Sequence, residues 1–173
     1  TSSVAMIYHF GRPINLAEVS LQVLNILINA AEKSDVPFLL FNCLRLRGEA
    51  YYDRKCGDKD ENLEIALLDF QHILKMPESI LPNALPHVAW AAHYLGKIHI
   101  DRQRGTNNLV NSHEYLDFAL SIYQSASNSL NEARVLVSQA ICFFKEGNLL
   151  KAATSAAKAL EKVTVDEDKA TFA

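Results

Sequence analysis

Glycine and proline are scarce, with six and five in 173 residues, too few to supply the tight turns of a many-stranded β protein. Cysteine is scarcer and odd in number. Cys43, Cys56 and Cys142 share no CxxC spacing, so they read neither as a disulfide framework nor as a zinc site. A reducing compartment fits them, and the expected location is intracellular, cytoplasmic or nuclear. No stretch approaches the roughly 18 to 20 apolar residues that span a bilayer, so no membrane partner is expected. The formal net charge is −3, and the basic residues fall in short pairs such as Arg45 with Arg47, Arg54 with Lys55, and Arg102 with Arg104. Phosphate backbones need clustered Lys and Arg, so nucleic acid is not expected either. An initiator Met and the layout of a signal peptide are also missing, from which we expect a piece of a longer chain.

Motifs that carry chemistry are missing as well. There is no GxGxxG, GxxxxGK[ST] or GxSxG, hence no phosphate cradle or nucleophile elbow. His113-Glu114 begins like the zinc-peptidase motif HExxH, but Asp117 stands where the second His would be. The other histidines, His9, His72, His87, His93 and His99, have no partner at ligand spacing along the chain. The acidic run Asp58, Asp60 and Glu61 reads as a solvated loop. We therefore expect no catalytic residue, no metal and no cofactor.

What is present is helical period. Hydrophobic residues make up 49% and charged residues 21%, a composition that folds into a core. Leu16, Val19, Leu21, Val23, Leu24, Leu27 and Ile28 recur at three- and four-residue spacing behind Pro13 and predict a helix over about 15 to 33. Asp35 is a candidate N-cap, with Pro37 in the first turn of a second helix ending near Lys55. Cys56 to Asn62 reads as a loop, and a third helix runs from Leu63 to the Met76-Pro77 stop. Pro77, Pro82 and Pro86 punctuate the next segment, and a fourth helix runs from about 86 to 103. A polar break over 104 to 108 precedes a fifth helix with Ser112 as its cap. Ser129-Leu130-Asn131 separates it from a sixth helix over 132 to 145. Gly147, suited to a left-handed C-cap, separates that from a seventh over 149 to 163. No segment alternates with period two for long enough to be a strand. The fold class is all-α: about seven helices joined mostly by short connections, as in an α-solenoid of stacked antiparallel hairpins.

The last hairpin carries a pattern of small and large residues: Ala140 and Phe143 on its first helix, Gly147 at the turn, and Ala152, Ala156 and Ala159 on its second. In this it resembles the tetratricopeptide repeat family. Small residues on facing stripes let helix backbones approach while a large neighbour fills the gap. The arrangement recurs with Leu44, Gly48 and Tyr51 before Ala66 and Phe70, and with Leu95, Gly96 and His99 before Ala119, Tyr123 and Ala126. Ala17, Leu21 and Leu24 resemble the second half of a repeat. The resemblance implies one repeat domain over 1–173, with a half repeat at about 5–34 and hairpins at about 37–76, 86–128 and 131–163, the first two longer than the family's own repeat. A helical bundle or another α-solenoid with longer repeats satisfies the same periodicity.

Such arrays bind partners on a concave face lined by first helices. Carried onto this chain, the family's face falls on Asn42, Arg45, Glu49 and Tyr52, on Trp90, His93, Lys97 and Ile100, and on Arg134, Val137, Ile141 and Phe144. The last group is more apolar than a solvated surface tolerates. One subclass of the family clamps a C-terminal carboxylate with Lys, Asn and Arg. Here Glu49, Tyr94 and Ser138 stand where Asn is wanted, and Glu49 repels a carboxylate. The expected function is a non-catalytic scaffold that binds a peptide or helix of another protein. The alternatives are an architectural segment of a large assembly, with its groove filled by its own or neighbouring chains, and a helical regulatory domain of an enzyme.

Overall fold

The computed structural model describes residues 14–77, 84–102 and 108–171. Pro13, Pro82, residues 5–13 of the half repeat and most of the polar break before 108 lie outside the described residues. Within them the protein is all-α, with seven helices and no strand. These are α1 (Ile14–Lys33), α2 (Pro37–Asp53), α3 (Lys59–Lys75), α4 (Ala84–Asp101), α5 (Asn108–Ser125), α6 (Ser129–Lys145) and α7 (Leu149–Thr171). Contacts divide the chain into two compact units, residues 1–84 and 85–173.

The helix starts differ from the sequence expectation where short polar side chains act as caps. Asp58 accepts a hydrogen bond from the Glu61 amide at 2.9 Å, so α3 begins at Lys59, inside the expected loop, with Asp60 and Glu61 in its first turn. Asp35 is not an N-cap. It has φ +48° and closes α1, with the Val36 amide reaching back to the Ala31 carbonyl at 3.1 Å. The N-cap of α2 is Val36, without a side-chain cap, and Pro37 opens the helix. Ser112 is not a cap either: α5 starts at Asn108, and Ser112 is fully buried within it.

In the first unit, α2 packs against both α1 and α3. Leu21, Leu24 and Ile28 of α1, Phe41 and Leu44 of α2, and Leu63, Phe70 and Ile73 of α3 are buried. Gly48 permits this spacing, since a Cβ there would lie 2.7 Å from Phe70 Cζ. Arg47 ties the three helices together. Its Nε and Nη2 donate to the two carboxylate oxygens of Asp69 at 2.9 and 2.6 Å, and its Nη1 donates to Asn25 Oδ1 at 2.7 Å. Hydrogen bonding to Asp69 pushes the Arg47 guanidinium pKa up, so Arg47 stays charged beside the buried carboxylate.

In the second unit, Ala89, Ala92 and Ile100 of α4, Leu116, Ala119, Ile122 and Tyr123 of α5, and Val135 and Cys142 of α6 share one core. Gly96 plays the part of Gly48: a Cβ on it would sit 2.6 Å from Leu116 Cδ2. A smaller cluster of Ala133, Leu136 and Ala159 joins α6 to α7. The connection between these helices is short because Gly147 adopts φ +78°. The Gly147 and Asn148 amides then bond to the Phe144 and Phe143 carbonyls at 3.0 and 2.9 Å.

Candidate functional site

Along α6, Arg134, Val137, Ile141 and Phe144 advance by three or four residues and so share one stripe. Val135, Leu136 and Cys142 point into the core, and the stripe is left uncovered. Val137, Ile141 and Phe144 are 49%, 46% and 65% exposed. On α7, Leu149, Ala152, Ala156, Leu160 and Val163 repeat the same spacing, and Leu160 is 66% exposed. Small residues in the first half of α7, between Leu149 and Leu160, shape a trough against α6. It is an open groove of about 770 Å³ between the two helices, and Arg134 is its one charged lining residue. Ala140, expected to be a tightly packed contact, is half-buried and lines this groove.

A second hollow, of about 530 Å³, lies on the α4 side of the same stripe. Trp90, His93, Tyr94 and Lys97 of α4 face Asn131, Arg134, Val137, Ser138 and Ile141 of α6. Arg134, Val137 and Ile141 therefore border both hollows. The Trp90 and Tyr94 rings are 4.5 Å apart, and Lys97 Nζ sits 4.4 Å from the Tyr94 centroid. His93 Nε2 is 2.8 Å from Ser138 Oγ, which itself donates to the Arg134 carbonyl at 3.3 Å. Burial, with Lys97 and Arg134 adding to it, lowers the His93 pKa to about 4, so the ring is neutral near pH 7.

The remaining face residues lie elsewhere. Ile100 is a core residue at 5% exposure, and its carbonyl accepts from Lys145 Nζ at 2.6 Å. Asn42, Arg45, Glu49 and Tyr52 lie on α2 in the first unit. There Asn42 donates to the Phe38 carbonyl at 2.8 Å, and Arg45 pairs with Glu49 at 3.0 Å. Sequence reasoning placed the α6 half of the groove and missed its α7 half, Leu149, Leu160 and Val163, because the alanines between them were assigned to packing. It also missed a polar cluster on the far side of α6. His113 Nε2 lies 2.8 Å from Glu146 Oε1 and 3.5 Å from Cys142 Sγ, and among the described residues these three are placed so that they could hold a metal.

No described helix is long and apolar enough to cross a membrane. No family model matches the chain, and no curated protein or solved structure is similar to it.

Proposed function

We propose that this protein is a non-catalytic scaffold of the tetratricopeptide-like kind that binds an amphipathic helix of another protein across the exposed stripe of α6. The observation that carries the reading is the groove lined by Val137, Ile141, Phe144, Leu149 and Leu160, where two helices present apolar faces to solvent. Contiguous apolar surface of that kind marks an interaction site, and a helix laid in a groove reads it through residues at i, i+3, i+4 and i+7. The chain itself supplies the pattern, since α6 inserts Val135 and Cys142 among the core residues of α4 and α5. The Trp90 and Lys97 hollow extends the same surface, with an aromatic anchor site and a cation for a partner carboxylate. Three cysteines without disulfides suit a reducing cytoplasm or nucleus.

The nearly complete absence of charge from the groove favours a second reading, an architectural segment whose groove is permanently filled within a larger assembly, because obligate interfaces are the more apolar ones. The test compares the chain with a Val137→Asp, Ile141→Asp double variant that retains its helical circular dichroism. Proteins captured by the first and not the second are purified and mixed with the chain, and amide exchange is followed. Protection over 130–163 supports helix docking in the groove. Binding that survives the double substitution, or protection confined to other helices, overturns it. A chain that is already associated when isolated, with 130–163 protected, favours the architectural reading.

A further inference from the structure

Glu146, the C-cap of α6, follows Cys142 by one helical turn and so shares its face, and that face meets His113 of α5. The sulfur, the imidazole Nε2 and a carboxylate oxygen all lie within 4.8 Å of one another. Cys142 is fully buried, while the side chains of His113 and Glu146 remain 23% and 30% exposed. The donor set thus has a closed inner end and an outer end open to water. We propose that His113, Cys142 and Glu146 form a binding site for a divalent cation of the zinc class, with one coordination position left to solvent.

Ligand chemistry and distance both favour this assignment. Thiolate, imidazole and carboxylate are the three side-chain ligands of zinc, and three protein ligands with a fourth position vacant make an open site. A tetrahedral zinc bonded to nitrogen at about 2.1 Å and sulfur at about 2.3 Å sets those atoms about 3.6 Å apart. His113 Nε2 and Cys142 Sγ are already 3.5 Å apart. The 2.8 Å contact from His113 to Glu146 has to open by some tenths of an ångström, which a partly exposed glutamate at a helix end allows.

Burial pushes the Cys142 thiol pKa up, with Glu146 and Asp117 adding to it, while a hydrogen bond from the Ser112 hydroxyl and the charge of Lys145 act the other way. Without a metal the sulfur is therefore a protonated thiol at neutral pH. Metal binding displaces that proton to water and forms the sulfur–metal bond, with no change of oxidation state. The site joins α5 to α6 independently of any partner in the groove. A plain His113–Glu146 ion pair, with Cys142 as an apolar filler, is the competing account.

Cobalt(II) is the probe, because thiolate ligation gives a sulfur-to-metal charge-transfer absorption that imidazole and carboxylate do not. The untagged, chelator-treated chain is titrated with cobalt and then with zinc. The expected result is one saturable equivalent with the charge-transfer band, displaced by zinc, together with a rise in the unfolding midpoint. Cys142→Ser abolishes the band, whereas Cys56→Ser keeps it. Glu146→Gln lies at the surface and leaves the fold intact, and it weakens zinc at least about tenfold, since even groups that only support a ligand contribute that much. No saturable binding, a band that survives Cys142→Ser, or an unchanged affinity in folded Glu146→Gln overturns the site.

Discussion

Gly96 occupies a place where even a methyl group collides, and opposing effects decide what Ala would do there. Ala gains about 1 kcal/mol over Gly in a helix interior. Its Cβ, however, would lie 2.6 Å from both Cγ and Cδ2 of Leu116 and 3.4 Å from the Ser112 carbonyl. Leu116 is fully buried and cannot swing away, and overpacking of that kind costs about 1–3 kcal/mol. We expect Gly96→Ala to lose up to about 2 kcal/mol in urea melts, and the loss to shrink when Leu116→Ala is present, because the two changes share one space. A stabilised Gly96→Ala would mean that α4 and α5 are further apart than described. His93 gives a pH dependence at the same scale. Its folded pKa of about 4 lies below the ordinary 6.5, so between these values the unfolded chain takes up a proton that the folded chain refuses. Stability from this group is thus complete above about pH 6.5 and falls as the pH drops through 4, by about 3 kcal/mol in all. Lys97 and Tyr94 of α4 and Arg134 and Ser138 of α6 face the ring, and none of them is a carboxylate that would offset its charge. His93→Gln, which keeps a hydrogen-bonding group beside Ser138, should flatten the acid limb of the melting curve, and an unchanged limb in that variant would show that the ring protonates without hindrance.

At the scale of the element, three of the connections follow one plan, and it shows why some helix ends are legible in a sequence and others are not. After α1, α5 and α6 the chain passes through a left-handed residue, Asp35 at φ +48°, Ser127 at +51° and Gly147 at +78°. The next amide then reaches back to Ala31, Tyr123 or Phe143 at 2.9 to 3.1 Å. Gly147 was readable because glycine adopts that conformation without strain. Asp35 and Ser127 were not, since an L side chain there gives no such signal and Asp also suits an N-cap. Starts were misread for a related reason. Asn128 caps α6 by accepting from the Asn131 amide at 3.1 Å, and Asp58 caps α3, yet both lie in polar stretches that composition alone marks as loop. Seven helices were nevertheless legible, because the apolar period is unbroken inside each one. Ser127→Gly removes the cost of a side chain in the left-handed region and should stabilise the protein by about 1 kcal/mol. Gly147→Ala should destabilise it by a similar amount. If both substitutions are neutral in thermal melts, the two turns do not have the backbone described.

At the scale of the whole molecule, what counts is which apolar residues are covered and which are not. The α6 stripe could be read from spacing alone, while the α7 face could not, because a run of alanines is equally compatible with packing and with the floor of a trough. The cluster of His113, Cys142 and Glu146 was illegible for a different reason. Its members come from two helices that only the fold brings together, and ligand spacing along the chain says nothing of that. Ile100 shows the converse: spacing put it on the binding face, and the α4–α5–α6 core claims it. The partition between covered and uncovered residues makes a joint prediction. Leu116 and Phe70 are fully buried, and their replacement by Ala removes core contacts and leaves a cavity, at a cost of about 2–5 kcal/mol each. Phe144 and Leu160 are of comparable size but mostly exposed, so Phe144→Ser and Leu160→Ser should each shift stability by no more than about 0.5 kcal/mol. The serine variants should lose partner binding all the same, since large apolar anchors supply most of the affinity at such a surface. The test measures unfolding free energy and binding on the same four variants. Serine variants that unfold as readily as the core variants would show that the α6–α7 groove is already filled in solution, and serine variants that are stable and still bind would move the partner to another face.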